Sequence, residues 1–235
     1  MNDYTKMRFT STVDPDRSVI LTLPSKPEQF QEAMRSIGAK TIGTGCKVTD
    51  FTSNIPALDQ LLAVNPDAVI NATPDELNYA TARIAKLTPP ERELLDAVSE
   101  SPLRLRKLEQ IIDFNGNSES FMLIPEAKNA AELGRYYTYQ SGMIDMPEKW
   151  KAAIDCEKLG MIAAEIERGA FTAHGYVMPT GDEWIPHFEK DRSIPEAYRI
   201  IGMEIRPSVR EWLKSEKSKP TKMSERKPGK SNHER

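Results

Sequence analysis

The chain has 235 residues, 39% hydrophobic and 29% charged, enough to bury a substantial core in one large domain or two to three small ones. No apolar run approaches the roughly 20 residues a membrane span needs, and the opening MNDYTKMRFT lacks the regions of a signal peptide, so a cytoplasmic location is expected. The formal charge of -3 hides an asymmetry: eight positive against three negative side chains give residues 214–235 a charge of +5, leaving -8 on the rest. An acidic body disfavours contact with a polyanion and favours a basic partner.

KMRFTSTV (Lys6–Val13) and RSVILTL (Arg17–Leu23) are strand-like, and the turn Asp14-Pro15-Asp16 between them predicts a hairpin. A helix is expected after Pro27, with Phe30, Ala33, Met34 and Ile37 on one face and Gly38 as the stop. CKVTDFTS (Cys46–Ser53) reads as a third strand, which closes a unit over residues 1–54.

A helical unit over residues 55–114 follows. It opens with a short helix at Ile55–Leu62. Thr73-Pro74-Asp75-Glu76 and Thr88-Pro89-Pro90-Glu91 both match the capping box, in which a threonine starts a helix and a glutamate three residues on closes the bond in reverse. Leu77, Ala80, Ile84 and Leu87 form one apolar stripe, Leu94, Leu95 and Val98 a second, and Leu103, Leu108, Ile111 and Ile112 a third beyond Pro102.

The unit over residues 115–190 begins at the loop Asn115-Gly116-Asn117-Ser118, then a strand within FMLIPEA (Phe121–Ala127) and a helix from Ala130 to Gln140. Asp155 is placed as the N-cap of a helix whose Leu159, Ile162, Ala163 and Ile166 keep helical spacing, with Gly169 as the stop, and AFTAHGYVM (Ala170–Met178) reads as one strand. Residues 191–213 form a short extension with a helix at Ser208–Leu213. The basic tail 214–235 has only Met223 as a sizeable apolar residue and is expected to be disordered. The fold class is therefore α+β: a three-stranded sheet with a helix, a helical bundle, and a small sheet with helices.

Cys46 and Cys156 lie far apart without metal-ligand spacing, so neither a disulfide nor a zinc site is indicated, and both read as small apolar residues. His174 and His187 lack a neighbouring nucleophile or ligand set. No Gly-rich phosphate loop, metal motif or catalytic triad is visible, which argues against an enzyme and against a cofactor.

The stretch Leu133–Val177 carries a family resemblance. Leu133-Gly134-Arg135-Tyr136-Tyr137 is followed by Gly142, Met146-Pro147-Glu148, Ile154-Asp155, Gly160, Phe171 and Gly175-Tyr176, in the order and near the spacing of the signature region of ArdA-type antirestriction proteins. Upstream, Phe51 and Ile55-Pro56-Ala57-Leu58-Asp59-Gln60-Leu61 resemble that family's junction between its first two units, so the likeness runs through most of residues 7–185. It implies an elongated homodimer, encoded by a mobile element such as a conjugative transposon, that inhibits type I restriction-modification enzymes by imitating DNA. The departures fall on charge. Cys156 and Leu159 stand where the family has aromatics, and Met161-Ile162 replace an arginine-aspartate pair. B-form DNA presents one negative charge per ~1.7 Å of axis, so a body at -8 imitates it only with its acids gathered on one face.

The candidate phosphate surrogates are Asp75, Glu76, Glu91, Glu93, Asp96 and Glu100 on the helical unit, and Asp145, Glu148, Glu157, Glu165 and Glu167 in the signature region. Asp75, Glu76, Glu91 and Glu93 also lie in first helical turns, where the helix dipole favours a carboxylate whatever the function. Glu157 and Glu165 are expected to be exposed opposite the apolar stripe. Tyr136 and Tyr137 are expected to pack the core, and Arg135 to pair with an acid. Two alternatives stand beside DNA mimicry: the same fold serving as a protein-interaction module of a mobile element, and weak nucleic-acid contact through Lys217, Lys219, Lys222, Arg226, Lys227 and Lys230.

Overall fold

A computed structural model describes residues 4–39, 42, 45–189 and 193–201, so the expected helix at Ser208–Leu213 and the basic tail 214–235 lie outside the described residues. The fold is α+β, with two three-stranded antiparallel sheets.

The first sheet has the order β2-β1-β3, with β1 at Thr5–Ser11, β2 at Ser18–Leu23 and β3 at Cys46–Ser53. Alternation in β1 puts Thr5, Met7, Phe9 and Ser11 on the buried face, and Met7 lies between Leu21 and Phe51 in register. The expected hairpin turn is held by the Arg17 amide donating to the Asp14 carbonyl at 3.0 Å. Helix α1 (Pro27–Ser36) covers the sheet with Phe30, Ala33 and Met34, and Gly38 follows at φ 71°, the left-handed conformation that favours glycine at a helix end.

Helices α2 (Pro56–Val64), α3 (Pro66–Ile70), α4 (Pro74–Ile84), α5 (Pro89–Glu100) and α6 (Leu108–Asp113) follow. One apolar core runs without a break from Met7 and Phe9 of the sheet through Leu58, Leu61, Leu77, Leu95 and Val98 to Ile111, Ile112 and Phe114. The third stripe yields a helix only from Leu108, because residues 102–107 turn around the Ser101 hydroxyl, which accepts from the Leu103 amide at 3.0 Å. The short α3 has no stripe long enough to read from sequence.

The second sheet has the order β4-β6-β5: β4 at Phe121–Ile124, β5 at Ala170–Thr172 and β6 at Gly175–Pro179. The single strand expected over Ala170–Met178 is thus a hairpin turning at Ala173-His174, with Gly175 at φ 136°. Helices α7 (Ala130–Tyr139) and α9 (Cys156–Glu167) pack on it around a second core of Ile124, Ala127, Leu133, Tyr137 and Tyr176, and the one-turn α8 (Glu148–Lys151) between them contributes no buried residue.

Beyond β6 the chain returns across the helices with no helix or strand from Thr180 to Glu189, and a 3-10 turn lies at Glu196–Tyr198. Four short polar side chains hold this strap by its backbone. Asn117 exchanges two bonds with Ile185, at 2.9 and 2.7 Å, and Asp113 accepts from the amides of His187 and Phe188. Asn78 donates to the Tyr198 carbonyl, and Asp75 accepts from the amides of Ile200 and Ile201. These bonds satisfy backbone groups that no ladder serves.

Candidate functional site

The signature residues assemble as one packed unit. Gly134 of α7 meets the N-terminus of α9 so closely that a Cβ there would overlap the Cys156 carbonyl, and Gly160 of α9 is set equally close to the Ala130 carbonyl. Two glycines thus let the helix backbones touch, and Leu133 and Tyr137 fill the space beneath. Asp155 caps α9 as expected, its carboxylate accepting from the Lys158 amide at 3.0 Å. Pro147 sits at the N-cap of α8.

Helix α9 ends at Glu167, beside the expected stop at Gly169, whose amide donates back to the Ala164 carbonyl at 3.2 Å. The left-handed conformation falls on Arg168, at φ 56°, and Gly169 lies under the Tyr176 ring, where a Cβ would collide with the phenol. Gly175 has a second constraint besides its φ, since a Cβ would press on the Ile124 carbonyl across the sheet. Phe171 packs on Tyr176 at 5.1 Å between ring centroids, and Tyr136 meets Tyr137 edge-on at 5.5 Å. Tyr137 is therefore a core residue, and Tyr136 packs half-buried against that core. Arg135 is exposed and has no ion pair among the described residues, contrary to expectation.

The carboxylates divide by role. Asp75 is 4% exposed and committed to the strap. Glu76 accepts from the Thr73 amide at 2.7 Å, completing the expected capping box with the Thr73 hydroxyl on its own amide. Glu91 accepts from both the amide and hydroxyl of Thr88, which hold its carboxyl below the usual range. Asp96 pairs with Arg92 at 3.2 Å one turn away, and Glu148 pairs with Lys151 at 3.3 Å. Glu167 is drawn inward, accepting from the hydroxyls of Tyr137 at 2.6 Å and Tyr176 at 2.8 Å. Burial, then the bond to Glu167, push both phenols above their ordinary range.

The exposed carboxylates of the candidate set outside these roles are Glu93, Glu100, Asp145, Glu157 and Glu165. Glu93 and Glu100 flank His174 of the β5–β6 turn, at 4.0 and 3.6 Å.

The apolar stripe expected to face inward on α9 does so only in part. Gly160 fixes which side of α9 meets α7, and with 3.6 residues per turn this brings Leu159, Ala163 and Ala164 inward and turns Ile162 outward. Met161, Ile162 and Ile166 are 61%, 46% and 74% exposed, with Glu157 and Glu165 among them. Sequence spacing suggested a core stripe; the helix instead shows an apolar outer surface edged by acids, the kind of patch that marks a protein contact.

Cys46 is buried 3.2 Å from the Met34 sulfur, and burial pushes its thiol up to about 12, which makes it an inert core residue. No group of three or more His, Cys, Asp or Glu that could hold a metal occurs among the described residues, and none of their helices is long and apolar enough to cross a membrane. No family model and no curated protein matches the chain.

Proposed function

We propose that this protein is an antirestriction protein that binds a type I restriction-modification enzyme in the cytoplasm and occupies its DNA-binding groove. The observation that carries this is the convergence of the signature. Leu133, Gly134, Tyr137, Gly160, Gly175 and Tyr176, scattered along the sequence, meet in or against one small core, where each glycine answers a backbone or ring beside it.

Glu93, Glu100, Asp145, Glu157 and Glu165 are the groups that pair with the lysines and arginines of the groove. Such pairs are screened, so inhibition weakens as salt rises. The protein acts as a homodimer joined through the exposed face of α9, with Glu157 and Glu165 at the rim. It is a stoichiometric inhibitor rather than an enzyme and uses no cofactor.

A second reading is favoured by the engagement of Asp75, Glu76, Glu91, Asp96, Glu148 and Glu167 in the fold itself, which thins the acidic surface. In it, the fold acts as a protein-interaction module without DNA mimicry. Titrating purified protein into type I cleavage and methylation assays separates the two. Inhibition that salt relieves and Glu157→Gln/Glu165→Gln weakens is the expected result. Undiminished activity at large protein excess across several type I enzymes leaves the interaction module.

A further inference from the structure

Between the α5–α6 connection and the end of the second sheet lies an open cleft of about 470 Å³. One wall is the run Leu103–Lys107, which contributes Arg104, Arg106 and Lys107; the other contains Phe121, Asp182 and Trp184. Three cations on five consecutive residues stand out in a body whose net charge is -8.

The cationic wall is preformed. The Gln110 side-chain oxygen accepts from the amides of Arg106 and Lys107, at 2.9 and 3.1 Å, and Ser101 fixes the turn that leads into Arg104. The Nε of Arg104 is buried with no hydrogen-bond partner among the described residues. Trp184 is half-buried and braced edge-on by Phe121 at 6.3 Å, an aromatic surface held in place.

We infer that this cleft is a binding site for a nucleoside monophosphate, independent of the antirestriction reading. Arg104, Arg106 and Lys107 take the phosphate, Arg being suited to its oxygens by its planar fork of donors. The base stacks on Trp184, an interaction that any base makes through its π face. Asp182, held by the Thr180 hydroxyl at 3.0 Å, repels the phosphate from its own wall and accepts from a ribose hydroxyl or the amino group of the base. The volume lies within the range of small-ligand pockets and is enough for one nucleotide.

The test is titration of the full-length protein with AMP, followed by calorimetry and tryptophan fluorescence. Saturable binding with quenching is expected. Trp184→Phe should remove the quenching while retaining binding, and Arg104→Gln should weaken binding roughly tenfold, the scale of one hydrogen bond to a charged group. Lys107 is exposed, so Lys107→Gln keeps the fold intact and should weaken AMP several-fold, with unchanged circular dichroism. Adenosine binding as tightly as AMP overturns the phosphate assignment. Inorganic phosphate or phenyl phosphate matching AMP overturns the nucleoside assignment, and a single-stranded oligonucleotide binding more tightly than AMP makes the cleft a strand track. No binding of AMP at millimolar concentration removes the proposal entirely.

Discussion

The carboxylate of Asp75 accepts a 2.7 Å hydrogen bond from the backbone amide of Ile200, 125 residues further along the chain and buried with it. An acid placed by sequence among surface phosphate surrogates is a fastener between α4 and the returning strap. Asp75→Ala strands the amides of Ile200 and Ile201 away from water, at a cost of about 3 kcal/mol. Urea denaturation should show that loss, with Asp75→Asn milder because its oxygen still accepts. An alanine variant as stable as the wild type would remove the strap from the account of stability.

Gly134→Ala tests whether the signature glycine is there for backbone contact. The new methyl meets the Cys156 carbonyl, so α7 and α9 must move apart, at a cost of about 3 kcal/mol. Gly142, with open space around it but φ 71°, is the control for glycine conformation without contact, and Gly142→Ala should cost less. Equal losses would mean that conformation rather than close approach matters.

Raising the pH should loosen the second core. Tyr137 and Tyr176 have folded pKa values above the unfolded value, so their contribution is complete below about pH 10 and is lost as pH climbs toward the folded values. Each phenolate would also face the Glu167 carboxylate without a proton between them. The melting temperature of the wild type should fall steeply above that pH. The Tyr137→Phe/Tyr176→Phe variant, weaker at neutral pH, should fall less, and parallel curves would assign the alkaline loss elsewhere.

Ile166→Glu places a charge on the exposed face of α9, where no packing is disturbed. Sedimentation should then report a monomer at concentrations where the wild type is a dimer, with an unchanged melting temperature of the monomer. A wild type that sediments as a monomer, or a variant dimer of undiminished affinity, rules this face out as the contact.

What could be read from sequence was local. The capping boxes of α4 and α5, the Asp155 cap and the first hairpin are each written within a few residues, and each is found in place. The misreadings needed a partner from far along the chain. The exposed side of α9 is set by Gly160 against Ala130, so spacing within the helix gave no sign that Ile162 and Ile166 face outward. Gly169 does close the helix, but its second constraint, the Tyr176 ring, comes from seven residues on and across a hairpin, out of reach of local spacing. The acids were separable only where the sequence shows a cap: Glu76 and Glu91 announce theirs, whereas Glu167 gives no hint of two tyrosines that reach it from α7 and β6.

The strap is gripped by its main chain as well as by the packing of Phe188, Ile194, Tyr198 and Ile200. Asp75, Asn78, Asp113 and Asn117 recognise amides and carbonyls, groups that nearly every amino acid offers in the same form. These bonds are indifferent to the side chain of the residue they hold, but not to proline, which lacks the amide needed at 185, 187, 188, 200 and 201. Mutational drift is thus tolerated along the strap's outward-facing positions and refused at four small polar residues far upstream, a division of constraint opposite to the one a loop over a helical surface would suggest.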